Sequence, residues 1–208
     1  MRLPSNSRVT VPFGATGDDY LGDSRVHTGT DYSWFPSRKV RAPEGGKITA
    51  ATYYDEGGNY IKMKSGDREY YFGHLSKFKV KVGQKVKEGQ VIGIMGDTGL
   101  AIGVHLHFQM WLDGKLIDGD KYIRNEMIKD LKKRIAKKNR IIKRTRKQVR
   151  RLREKLILAP SRKDLEEARK YAEDLEKQLA EAEAESEKEK EEVVQSIWEK
   201  IKEIFNVN

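Results

Sequence analysis

The sequence predicts an α+β protein: a small, mostly antiparallel β-sheet domain over residues 1–120, then a long α-helical hairpin or coiled coil over 121–208. Three observations carry this. All 18 glycines and four of the five prolines lie in 1–120, leaving Pro160 as the lone breaker of the remainder. Apolar residues alternate with period 2 in the first part and recur at 3-4 spacing in the second. Charged residues make up 36% of the chain, well above the usual quarter, as long solvated helices require.

The strands come first. "GGKITAATYY", "NYIKMK", "REYYFGHL", "KFKVKV", "GQVIGIMG" and "VHLHFQMWL" are short runs separated by turn signals. "SGD" between the second and third predicts a hairpin, and "LDGKLI" predicts another. After residue 121 a heptad seam runs through Ile128, Leu131, Ile135, Ile142, Val149, Leu152 and Leu156, with Lys138 and Thr145 as polar breaks. A second seam holds Leu165, Ala168, Ala172, Leu175, Leu179 and Ala182, opened by a Ser161–Asp164 variant of the capping box. A third piece places Val194, Ile197, Trp198, Ile201, Ile204 and Phe205 on one face. The expected helices are a basic one over 121–157, an acidic one over 161–190 and a terminal amphipathic one over 191–206.

The net charge of +10 is concentrated. Residues 121–160 hold 17 basic and 3 acidic residues, whereas 161–208 hold 9 basic and 15 acidic. The simplest reading is a solvated basic face beside an acidic neighbour. The downstream balance of −6 cannot cancel +14, so a surface for an anionic polymer is the functional alternative. Nucleic acid is disfavoured, because interleaved aromatics and a reading motif are missing from the run. The terminal helix carries Glu191, Glu192, Glu199 and Glu203 against Lys200 and Lys202, which favours packing on protein over an anionic membrane.

Other classes are excluded or narrowed. Without cysteine there is no disulfide framework and no thiolate metal site. No run approaches the roughly 20 apolar residues of a membrane span. The opening "MRLPSNSRVTVPFG" lacks the apolar stretch of a signal peptide.

Chemistry concentrates in four histidines, all in the first part: His27, His74, His105 and His107. A lone histidine is usually structural; four in one small domain, with Asp31 four residues after His27, indicate a single site. In a strand, residues i and i+2 share a face, so His105 and His107 project together while Leu106 and Phe108 face the core. Catalytic zinc takes three nitrogen or oxygen ligands and leaves one position open. Both rings of the HxH need not touch metal; one can ligate while the other handles protons, and His74 can be a second proton-handling or charge-stabilising group. "GDTGLAIG" reads as turn chemistry or as a groove wall, and Tyr53, Tyr54 and Tyr60 as packing or groove residues.

"VTVPFGA", "HTGTDYS", "GGNYIKM", "YYFGHLSKFKVKVGQKVKEGQVIGIMGDTG" and "GVHLHFQMW", in that order over about residues 9–112, resemble the lysostaphin-like (LytM-type) zinc peptidoglycan endopeptidases of metallopeptidase family 23. The resemblance implies a metallopeptidase domain with Zn2+ held by His27, Asp31 and His107. It implies His105 and His74 as the catalytic pair, assisting water activation and stabilising the tetrahedral intermediate. Val104 stands where the family commonly has proline, and Gln109 where glutamate is frequent. Tyr20 is the nearest match to an assisting tyrosine upstream of the first ligand, at an unsafe spacing.

The expected function is zinc-dependent hydrolysis of peptide bonds in bacterial peptidoglycan. The helical tail would serve attachment or assembly, with virion proteins or with itself. A bacteriophage lysin is the expected setting, either mounted on the virion or made in the host cytoplasm and released to act on the wall. The alternative is a structural or assembly virion protein with a vestigial lysin domain.

Overall fold

The computed structural model describes residues 1–16, 25–157 and 162–205; within the helices, the side chains of 152–153, 155–157, 162–165, 168, 193–194 and 196–205 lie outside that description. The expected positions Tyr20, Leu152, Leu156, the Ser161–Asp164 cap, Leu165, Ala168, Val194, Ile197, Trp198, Ile201, Ile204 and Phe205 therefore fall outside the described residues or side chains.

The strands are β1 (Val9–Val11), β2 (Thr30–Ser33), β3 (Lys39–Arg41), β4 (Gly46–Tyr54), β5 (Gly58–Ser65), β6 (Arg68–Gly73), β7 (Leu75–Phe78), β8 (Lys85–Val86), β9 (Val91–Met95), β10 (His105–Leu112) and β11 (Lys115–Ile117). They form a large sheet in the order β1-β2-β10-β6-β5-β4-β8, with β11 beside β10, and a small sheet in the order β3-β9-β7. Every recorded pairing is antiparallel. The two hairpins expected from turn residues are present. Gly66 takes φ 59° between β5 and β6, and Asp113-Gly114 takes φ 51° and 73° between β10 and β11, the pair of positive angles a type I′ turn needs.

The core is built from alternate strand residues. Leu106, Phe108 and Met110 of β10 are at most 1% exposed, and they meet Tyr32, Ile61, Met63 and Phe72, all at 0%. Phe72 and Phe108 lie 5.6 Å apart by ring centroid, with Tyr70 stacked at 6.3 Å on Phe108. Each such side chain removed from water contributes about 1.5–3 kcal/mol.

Two helices follow: α1 (Gly119–Ile157) and α2 (Arg162–Phe205). Asp118 starts α1 by accepting the Lys121 amide at 3.0 Å. In the first turn, buried Asp120 accepts from the Tyr32 hydroxyl at 2.5 Å and from Arg124 Nε at 2.6 Å. Ile123, at 0% exposed, enters the β core. The chain thus packs as two units, Met1–Met127 and Ile128–Asn208, and the division falls further along α1 than residue 120.

In the second unit Ile128, Ile142 and Val149 of α1 and Ala172 and Leu175 of α2 are buried at the expected seam positions. Arg134–Glu189, Lys138–Glu185 and Arg146–Glu183 pairs fix an antiparallel register. The acidic and terminal segments, expected as separate helices, are one continuous α2, because neither glycine nor proline occurs near residue 190. Among the described residues no helix is long and apolar enough to cross a membrane.

Candidate metal centre

β10 runs between β2 and β6, and this places the site. His107 sits opposite Asp31 on one side and Gly73 on the other; His105 sits opposite Ser33. Directly paired residues share a face, so Asp31 and His107 meet by register alone. His27 is delivered by the "PFGA" segment: its amide donates to the Ala15 carbonyl at 2.8 Å, and its own carbonyl accepts from Gly14 at 2.8 Å.

Three donor atoms converge. His107 Nδ1 is 2.7 Å from Asp31 Oδ1, His27 Nε2 is 3.2 Å from the same oxygen, and the two ring nitrogens are 3.1 Å apart. These three residues form a group with metal-ligand proximity. Tetrahedral zinc, with bonds of about 2.0–2.1 Å, holds neighbouring ligands about 3.3 Å apart, close to the observed triangle. The donor set of two imidazoles and one carboxylate suits zinc better than calcium or magnesium, which prefer oxygen.

Backbone carbonyls set the rings. His27 Nδ1 faces the Pro12 carbonyl at 3.0 Å, His74 Nδ1 the Thr98 carbonyl at 2.8 Å, and His105 Nδ1 the Gly103 carbonyl at 2.8 Å. A carbonyl can only accept, so each Nδ1 carries the proton and each neutral ring keeps its lone pair on Nε2. His105 Nε2 lies 3.7 Å from Asp31 Oδ2, and the His105 ring centroid is 4.6 Å from that of His74. The five predicted residues are thus brought into one cluster.

The electrostatics follow from burial and pairing. Burial pushes the Asp31 carboxyl up, but its bonds and charge interactions with His107 and His27 outweigh this and hold it well below the usual range. Burial pushes His27 down, and bonding to Asp31 more than reverses it. Burial lowers His74 to about 4. His74 also has φ 57°, uncommon for a residue with a side chain. Bonds from its amide to Gly57 O and from the Gly96 amide to its carbonyl hold this kink between β6 and β7.

Sequence reasoning missed the residues that act through backbone or through lack of bulk. A Cβ on Gly29 would lie 2.6 Å from His107 Cε1, and one on Gly58 would lie 2.3 Å from Thr98. The Thr98 hydroxyl donates to Leu75 O at 3.0 Å and accepts from the Asn59 amide at 3.0 Å, fixing the carbonyl that holds His74. The signal was in "HTGTD", "GGN" and "GDTG"; the last read as a turn or a groove wall, and none of them as space for a neighbouring ring or carbonyl. Gln109 donates to Thr28 Oγ1 at 2.7 Å, so the amide found where glutamate is frequent still ties β10 to the His27 segment.

The family model for peptidase family M23 matches residues 25–119. The catalytic domain of lysostaphin from Staphylococcus simulans superposes with a TM-score of 0.51 at 32% identity, covering 57% of this chain and 92% of that one. The chain belongs to peptidase family M23. A glycyl-glycine endopeptidase of Staphylococcus capitis is 46% identical over 87 residues, 40% of this chain and 24% of the relative. A peptidoglycan DD-endopeptidase of Vibrio cholerae is 33% identical over 94 residues, 45% of this chain and 22% of the relative. The chain spans about a quarter of the length of the curated relatives it matches. The M23 match lies within the unit that carries the histidine cluster, and α1 begins at its last matched residue.

Proposed function

We propose that the chain is a zinc-dependent endopeptidase that hydrolyses peptide bonds of bacterial peptidoglycan. The observation that carries this is the convergence of His27 Nε2, Asp31 Oδ1 and His107 Nδ1 beside His105. The names of the staphylococcal and Vibrio relatives supply the substrate class.

His27, Asp31 and His107 would hold the ion, which when bound lowers the pKa of a coordinated water and polarises a carbonyl. His105, with Nδ1 committed to Gly103, presents Nε2 as a proton acceptor toward that centre. Once protonated there, it can pass the proton to the leaving amine. His74 has the same polarity: its Nδ1 proton is committed to Thr98, so Nε2 accepts. The neutral ring therefore takes a proton at Nε2, and the protonated ring donates from Nε2 to the developing oxyanion. Trp34 and Phe35 just after β2, and Leu100 and Ile102 just before β10, are exposed apolar side chains at the chain segments bordering the site.

Mass analysis of fragments released from purified peptidoglycan, with and without chelator, tests the proposal. New amino termini that appear only with metal are expected. Absence of cleavage on walls of every cross-bridge type would sink it.

A further inference from the structure

The second unit carries a charge pattern that peptide hydrolysis does not use. On α1 the seam side runs through Ile128, Leu131, Ile135, Lys138, Ile142, Thr145 and Val149, each buried or half-buried. Lys133, Lys137, Arg140, Arg144, Lys147 and Arg151 repeat with the same 4-3 spacing on the opposite side, and all are exposed. Residues 131–153 contain no acidic residue, so the stripe meets counter-charge on its own helix only at its two ends, where Asp130 and Glu154 flank it. The cross-helix ion pairs to α2 use Arg134, Lys138 and Arg146. Among the described residues, no ion pair reaches the six in the stripe. Like charges three or four residues apart disfavour a helix, and this stripe accepts five such pairs in succession.

We propose that this stripe binds a linear, base-free phosphodiester polymer of the polyol-phosphate kind. Along a helix, 3.5 residues advance about 5 Å, so the stripe offers a cation at each such step over about 27 Å. That matches a single extended strand of phosphates. The surface is one helix wide, and α2 beside it exposes Glu181, Glu185 and Glu187, which would repel the second strand of a duplex. No aromatic residue occurs between Tyr122 and Tyr171, so bases would find no stacking platform. Among the described residues, Ile141 is the single exposed large apolar side chain on α1, too little for insertion into a membrane surface. The proposal rests on the peptidoglycan reading only in expecting this polymer and the substrate on the same bacterial wall.

The test uses the full chain and fluorescently labelled poly(glycerol phosphate), with oligothymidylate of equal charge as competitor. Binding is expected with log K falling linearly in log salt, at a slope of about −4 for six contacts on a single strand. The combined K137Q, R140Q, R144Q and K147Q variant should bind about tenfold or more weakly, with a slope near about −1. Its helix content by circular dichroism should be unchanged. A control that removes the same charge from the sheet unit, K77Q, K79Q, K81Q and K87Q, should bind as the parent does. Lack of binding by the parent, equal weakening in the control, or tighter binding of oligothymidylate would each overturn the proposal. Both variants should cleave polymer-free peptidoglycan at the parental rate. That hydrolysis is read separately, so failure of the stripe and failure of the enzyme reading are distinguishable.

Discussion

His105 and His107 are neighbours with different surroundings, and substitution should separate them. His107→Ala removes a corner of the donor triangle, so native mass spectrometry should find the metal lost. His105→Ala should retain metal while hydrolysis falls about 10²–10⁴-fold, the usual worth of a general acid–base. Full metal occupancy in the His107 variant would reverse the assignment. Gly29 gives a third test at this scale. Its φ is ordinary, so the objection to Gly29→Ala is space: the new methyl would press on the His107 ring and on the Phe108 carbonyl. Metal affinity should fall about 10–100-fold, as for other groups that orient a ligand. The five side chains of the cluster were legible because their chemical type and spacing are written in the sequence. Gly29 and the Thr98 carbonyl were not, because a lack of bulk and a backbone oxygen look the same wherever they occur.

Among elements, β10 was legible throughout, since its alternation separates Leu106, Phe108 and Met110 from His105, His107 and Gln109. The start of α1 was less so. Composition placed a boundary at residue 120, where glycine ends, whereas packing carries the first turns of α1 into the sheet unit. Asp120 is the reason. Asp120→Ala would leave the buried Tyr32 hydroxyl without this acceptor and take one partner from Arg124, and denaturant unfolding should show a loss of about 1–3 kcal/mol. The α1–α2 pairing has its own pH response. Glu185 is held below its usual pKa by its bond to Lys138, and Lys138 is raised by the same bond. The carboxylate's contribution is present above the ordinary glutamate value and is lost as pH falls through the lowered one. The ammonium's contribution is lost only as pH rises through its raised value. Far-UV circular dichroism should therefore be flat from about pH 6 to about pH 9 and should lose helix signal on acidification below the glutamate range of about 4.3. A constant signal through strong acid would show that the ion pairs do not hold the helices.

At the scale of the whole chain, two units imply two responses to metal. An ion that binds the folded site and not the unfolded chain stabilises the unit that carries it by about 4 kcal/mol at a thousandfold excess over Kd. Calorimetry should show chelator lowering one unfolding transition and leaving the helical one in place. Movement of both together would mean that the two units unfold as one. Composition placed a division at residue 120, where glycine content and hydrophobic period change together, whereas packing places it after Met127. The extent of α2 was not announced, since amphipathic character shifts near residue 190 without any residue that stops a helix.

The carbonyl tethers on His27, His74 and His105 have a consequence for how the gene can drift. Main-chain oxygen is present whichever amino acid is encoded, so at residue 98 a serine, which keeps the hydroxyl bonded to Leu75 O and the Asn59 amide, keeps the hold on His74. Residue 103 is less free, since its φ of 123° favours glycine. Dropping a single codon from either loop would instead carry the oxygen away from its ring. Vulnerability at this site therefore sits as much in the spacing of the reading frame as in the letters it spells.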